Sequence, residues 1–152
     1  LVGCTVGGLL MYAPLLRGLE HGREWVLFLL LTVFVTDTGA FLVGRSFGKR
    51  KIAPSISPSK TWEGSVAGLL VATVSASALY YILGIQVFGL GVVIILGASV
   101  SLLGQFGDMA ESKLKRIAGV KDSGGVFPGH GGFLDRLDSI VFALIVVYYS
   151  VS

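Results

Sequence analysis

Charge is what this chain has least of. Only 14% of its 152 residues are Asp, Glu, Lys or Arg, where a soluble domain carries about a quarter, so water is not its main solvent. The single cysteine, Cys4, rules out an intrachain disulfide, and its apolar neighbours suit a buried small hydrophobe better than a reactive thiol. With two histidines, His21 and His130, a zinc site has almost no support. The apolar runs also lack the alternation of a membrane barrel, which leaves helices. There is no initiator Met and no charged region ahead of the first apolar run, so the expectation is a C-terminal fragment of a longer chain and not a signal peptide with its mature domain.

Hydrophobic residues make up 53% of the chain and gather into five segments: Leu1 to Leu16, Trp25 to Gly44, Ser65 to Leu83, Val87 to Gly104, and Ser139 to Ser152. Most approach the ~20 residues that a bilayer-crossing helix needs. The first and last are shorter, about 24 Å and 21 Å at helical rise. The expected fold is all-α, a polytopic transmembrane helical bundle with cytoplasmic catalytic loops, forming one domain over residues 1–152. Segments three and four are joined only by Gly84, Ile85 and Gln86 and predict a hairpin. Glycines such as Gly64 and Gly68, or Gly84, Gly89, Gly91 and Gly97, are read as close-packing positions between helices.

The net charge is only +3, but 10 of the 12 Lys and Arg residues fall in two loops, Arg45 to Lys60 and Lys113 to Arg136. The hairpin returns the chain to its starting side, so both loops share one face. The positive-inside rule makes that face cytoplasmic. The run Lys49, Arg50 and Lys51 is read as that topological signal, and Trp62 as an interfacial anchor.

Chemistry concentrates between Gly104 and Asp138. If the fourth span continues as a helix beyond the membrane edge, Asp108, Glu111, Ser112 and Lys115 share one face; a solvated helix end with local ion pairs is the plainer alternative. Asp135 and Asp138 are one turn apart at the threshold of the last segment, where unpartnered acids are costly. Magnesium would relieve that cost, because it takes hard oxygen ligands and binds through one or two carboxylates plus substrate phosphates; Arg136 and nearby lysines are the competing neutralisers. Between the acidic clusters lie Lys115, Arg116 and Lys121 with Gly119, Gly124, Gly125 and Gly129, cations and close-approach positions suited to a polyphosphate. His130, in a tight glycine-rich turn, either lines the site or is structural.

Upstream, Pro54 and Pro58 forbid a continuous helix and predict an extended connection carrying Ser57, Ser59, Lys60 and Thr61 as phosphate-binding groups. Asp37 sits inside the second span, eight residues or ~12 Å from Arg45 along a helix. It either lines a polar cavity or only bonds to Thr36, Thr38 or a neighbouring helix.

The run from Ser112 to Asp138, SKLKRIAGVKDSGGVFPGHGGFLDRLD, resembles the signature of the phosphatidate cytidylyltransferases, or CDP-diacylglycerol synthases. GDMAES before it and SPSKTWEG upstream resemble the family too. The resemblance implies the reaction of CTP with phosphatidate to give CDP-diacylglycerol and pyrophosphate. It further implies a magnesium requirement with room for a second cation, a homodimer among membrane lipids, and no nucleic-acid partner. By position it puts Asp108 and Asp135 first as metal ligands, with Asp138 and Asp122 next. Ser57, Ser59, Lys60, Lys115, Arg116 and Lys121 become phosphate contacts, and Thr61, Ser112, His130 and Asp37 further substrate-lining residues. A CTP-dependent polyisoprenol kinase and a lipid transporter are the alternatives weighed.

Overall fold

The structure is a computed structural model and describes residues 11–54, 56–85, 87–117, 140 and 143–152, without the side chains of Pro58, Glu111, Leu114 and Lys115. The chain runs through a short helix α1 (Tyr12–Arg17), a long helix α2 (Gly22–Phe47), two short strands β1 (Lys51–Ala53) and β2 (Ser57–Thr61), and helices α3 (Trp62–Ile82) and α4 (Leu90–Ile117). Residues 143–151 are helical as well.

Among the described residues, three helices are long and apolar enough to cross a membrane: Gly22–Phe47, Trp62–Ile82 and the Leu90–Ala110 part of α4. They correspond to the second, third and fourth apolar segments, and the architecture is the expected all-α polytopic bundle. Of the first segment, only the six-residue α1 falls among the described residues, as does only part of the fifth.

The spans pack antiparallel through small side chains. Along α3 the buried positions are Gly64, Gly68, Ala72, Ala76 and Leu79, a stripe at three- and four-residue spacing. On the opposite face Val66, Leu70 and Val74 are exposed. A Cβ added at Gly64 would lie 2.6 Å from the Ala40 carbonyl oxygen of α2, and one at Gly97 of α4 would lie 2.5 Å from the Ala76 Cβ. Such contact is what holds helices together where lipid tails compete on equal terms. Gly97→Leu is therefore expected to force α3 and α4 apart and cost about 1–3 kcal/mol, read as a lowered melting temperature in detergent. Gly84, Gly89 and Gly91 do not share this role, since an added Cβ at any of them meets nothing within 4 Å. Gly84 instead takes φ +66°, the left-handed conformation that turns the chain between α3 and α4.

Ile85, expected as an ordinary connecting residue, is fully buried. It joins a core formed with Leu16, Trp25, Phe28, Leu29, Val93, Leu96, Val100 and Val147. Trp25 meets Phe28 edge-on at 5.7 Å and Phe88 at 5.8 Å. All five tyrosines gather around this core: Tyr12, Tyr80 and Tyr148 pack on it, and Tyr81 and Tyr149 stack on them. The other end of the bundle, where α2 finishes and α3 begins, carries Arg45, Lys49, Arg50, Lys51, Lys60, Glu63 and Asp108.

Candidate functional site

The loop between α2 and α3 is a small antiparallel ribbon, with Lys51 opposite Thr61 and Ala53 opposite Ser57. Its extended character follows from the prolines: Pro54 occupies the turn and Pro58 lies in β2. Both strands of a two-stranded ribbon are edges, so a residue without an N–H is tolerated. The ribbon is tied to the start of α3. The Trp62 N–H donates to the Arg50 carbonyl at 2.9 Å, and the Arg50 N–H donates to the Glu63 carboxylate at 3.2 Å. Thr61 caps α3, its Oγ1 accepting from the Gly64 N–H at 3.2 Å and satisfying one of the free donors of the first turn. These bonds fix Ser59, Lys60 and Thr61 relative to the helix ends.

A cavity of about 630 Å³ opens at this end. Asp37, Ala40, Phe41, Gly44 and Arg45 of α2 form one wall, and Ile52, Ser59, Lys60 and Thr61 of the ribbon a second. Trp62, Gly64 and Ser65 of α3, with Leu102, Gln105, Phe106, Asp108 and Met109 of α4, complete it. Two carboxylates and two cations therefore line one largely apolar space. One of each is directly paired: Lys60 Nζ forms an ion pair with Asp108 Oδ2, the two side chains being 23% and 38% exposed.

Behind the charges lies a polar bracket between α3 and α4. Ser65 Oγ donates to Gln105 Oε1, while Gln105 Nε2 donates to the Ser65 carbonyl at 3.3 Å and to the buried Ser101 Oγ at 3.2 Å. Gln105→Leu would leave both serines without that partner; the expected cost is about 1–3 kcal/mol, again visible as a lower melting temperature in detergent, with Gln105→Glu recovering part of it.

Five of the residues singled out in the sequence thus meet at one cavity: Asp37, Ser59, Lys60, Thr61 and Asp108. Asp37 borders this cavity. Ser57 pairs with Ala53 at the far end of β2 and does not line the cavity. The fourth span does continue as a helix, unbroken to Ile117, so Ser112 sits one turn beyond Asp108. Arg116 is exposed and its Nε donates to the Ile56 carbonyl at 3.4 Å, linking the end of α4 to the ribbon. The helical start of the second basic loop, as far as Ile117, therefore lies at the same end of the bundle as the ribbon. The side chain of Lys115, and all of Lys121, Asp122, His130, Asp135 and Asp138, lie outside the described residues. Among the described residues no group of three or more His, Cys, Asp or Glu is placed to hold a metal ion.

Three polar lining residues were not singled out from sequence: Arg45, Ser65 and Gln105. Arg45 belongs to α2 and not to the following loop, because the helix runs on to Phe47. A usable signal existed, since Asp37, Phe41 and Arg45 recur every four residues and share a helix face.

A family model described as the cytidylyltransferase family matches residues 1–152. A phosphatidate cytidylyltransferase of Staphylococcus aureus (strain COL) is 46% identical over 127 residues, covering 82% of this chain and 48% of that protein. One of Bacillus subtilis (strain 168) is 40% identical over 130 residues, covering 86% of this chain and 48% of its own length. The chain spans about half the length of the curated relatives it matches.

Proposed function

Because this chain belongs to the cytidylyltransferase family, we propose that it forms the catalytic part of an enzyme that transfers CMP from CTP to phosphatidate, releasing pyrophosphate. The observation that carries this reading is the cavity itself. It joins Arg45, Lys60, Ser59 and Thr61, groups that bind phosphate, to the carboxylates of Asp37 and Asp108, at one end of a membrane-spanning bundle. A water-soluble nucleotide and a membrane lipid can both reach such a place. The relatives named phosphatidate cytidylyltransferase support the choice of substrates.

In this reading an oxygen of the phosphatidate phosphate attacks the α-phosphorus of CTP, the new P–O bond forming as the bond to the β-phosphate oxygen breaks. The attacking phosphate is already anionic at neutral pH, so no dedicated base is needed. The difficulty is bringing two polyanions together, which makes positioning and charge neutralisation the main work. Lys60 and Arg45 offset phosphate charge from two different walls. The Thr61 hydroxyl oxygen is occupied as an acceptor by the Gly64 N–H, which leaves its proton to donate to a phosphate oxygen. The apolar walls, Phe41, Leu102, Phe106 and Met109, lower the local dielectric and strengthen these contacts.

The donor chemistry of the cavity suits magnesium: its acids are carboxylates, and no thiol or imidazole is among the described lining residues. Asp108 would hold the ion together with Asp135, Asp138 and Asp122, with room for a second cation, and the bound metal would supply further neutralisation of the triphosphate. In this reading the cavity faces the cytoplasm, which the concentration of Lys and Arg in the two basic loops supports. The working unit is a homodimer of the full-length chain within membrane lipids.

The test is full-length protein in liposomes with magnesium, phosphatidate, and CTP labelled at either the α- or the γ-phosphate. Label from the α-phosphate should appear in the lipid product. Transfer of the γ-label instead, or preference for a polyisoprenol acceptor, would favour the kinase alternative and overturn this reading.

A further inference from the structure

One stripe of α2 changes character halfway along. Leu30, Val33, Phe34 and Asp37 recur at three- and four-residue spacing, and the same stripe continues through Phe41, Gly44 and Arg45. Its first half lines a separate open groove of about 270 Å³, walled by Leu30, Leu31, Val33 and Phe34 and closed on one side by Ile140. Its second half lines the polar cavity. Asp37 borders both spaces, so the groove and the cavity meet at this residue.

The groove lies within a span long and apolar enough to cross a membrane, and Leu30, Leu31 and Phe34 are 42%, 40% and 57% exposed. Where no other protein segment covers it, such a face in a bilayer meets hydrocarbon. Other exposed apolar residues exist: Val66, Leu70 and Val74 on the outer side of α3 do not border the polar cavity, whereas Leu102 and Phe106 of α4 do but, among the described residues, line no groove running away from it. The α2 groove is different because it ends at Asp37, which also lines the cavity that holds Arg45 and Lys60. An occupant matching the whole stripe must be apolar at one end and anionic at the other, over a length of about 22 Å from Leu30 to Arg45 at helical rise.

We propose that this groove holds an acyl chain of the phosphatidate, so that the lipid reaches the cavity sideways from the bilayer along α2 and places its phosphate beyond Asp37. The proposal rests on the function proposed above and adds the path and the seat of the lipid tail. The Asp37 carboxylate repels a phosphate and so keeps the headgroup on the Arg45 side, while the glycerol passes at the junction.

The test uses full-length protein in phosphatidylcholine liposomes containing phosphatidate with a diazirine midway along one acyl chain. After photolysis, peptide mapping should find label at residues 30–34 or at Ile140 well above that at Leu70 and Val74. Excess unlabelled phosphatidate should suppress it, and added phosphatidylcholine should not. Equal labelling of both faces, or equal suppression by the two lipids, overturns the proposal. A second measurement uses Leu30→Trp and Phe34→Trp, which fill the groove. Each should raise KM for dioleoyl phosphatidate by a larger factor than KM for the dihexanoyl lipid, whereas equal factors would count against an acyl seat here. Photolabelling needs neither CTP nor turnover, so it judges the groove separately from the reaction.

Discussion

Asp108→Asn in the full-length protein is expected to reduce CMP transfer to phosphatidate by about a thousandfold or more, the scale on which enzymes lose turnover when a preorganised charge at the reacting centre is removed. The substitution keeps the shape and one carbonyl oxygen but removes the negative charge that a magnesium ion would need. Its effect on folding should be small. The ion pair that Asp108 makes with Lys60 is partly exposed on both sides, and pairs of that kind are worth about 0–1 kcal/mol. Turnover and melting temperature measured on the same preparation therefore separate the two effects: turnover collapses and the melting temperature moves by a few degrees at most. Near-normal turnover would remove Asp108 from the chemistry.

Lys60→Met should lower kcat/KM for CTP by about 100-fold, equivalent to about 2.7 kcal/mol of transition-state stabilisation. In the ligand-free cavity its ammonium is held by Asp108, so charge is balanced before substrates arrive. In the proposed function a triphosphate would compete for the lysine and a divalent cation for the aspartate, so that binding of the two together would exchange one internal pair for two external ones. Lys60→Arg should recover only part of the loss, because the planar guanidinium fork does not reproduce a compact point charge. In the double variant with Asp108→Asn, the losses should be far from additive, since both residues act on the same phosphates. Full additivity would mean that the two residues work at separate places.

The spans were legible because a continuous apolar run of bilayer length has few other fates, and the hairpin because three residues cannot reach across a membrane. The extended loop before α3 followed from Pro54 and Pro58, although its pairing as a ribbon did not, since register depends on partners found only in the fold. Asp37 and Asp108 stood out because carboxylates are rare among apolar residues. Their meeting could not be read, as Lys60 and Asp108 are brought together by the antiparallel return of α3 and α4. Arg45 was missed for a local reason. A basic residue at the edge of an apolar run looks like a loop charge until the helix is known to continue past it. Ile85 misled in the opposite sense, because a residue between two helices reads as exposed even when the turn folds it back among Trp25, Phe28 and Val93.

The bracket of Gln105 with Ser65 and Ser101 bears on how the protein is built into its membrane. All three residues belong to the α3–α4 hairpin, so their hydrogen bonds are complete within a single pair of neighbouring segments. A glutamine crossing into hydrocarbon alone would be costly. Within the hairpin it is already satisfied, and the two segments can enter the bilayer as one unit without a hydrogen-bonding partner from any segment that follows α4.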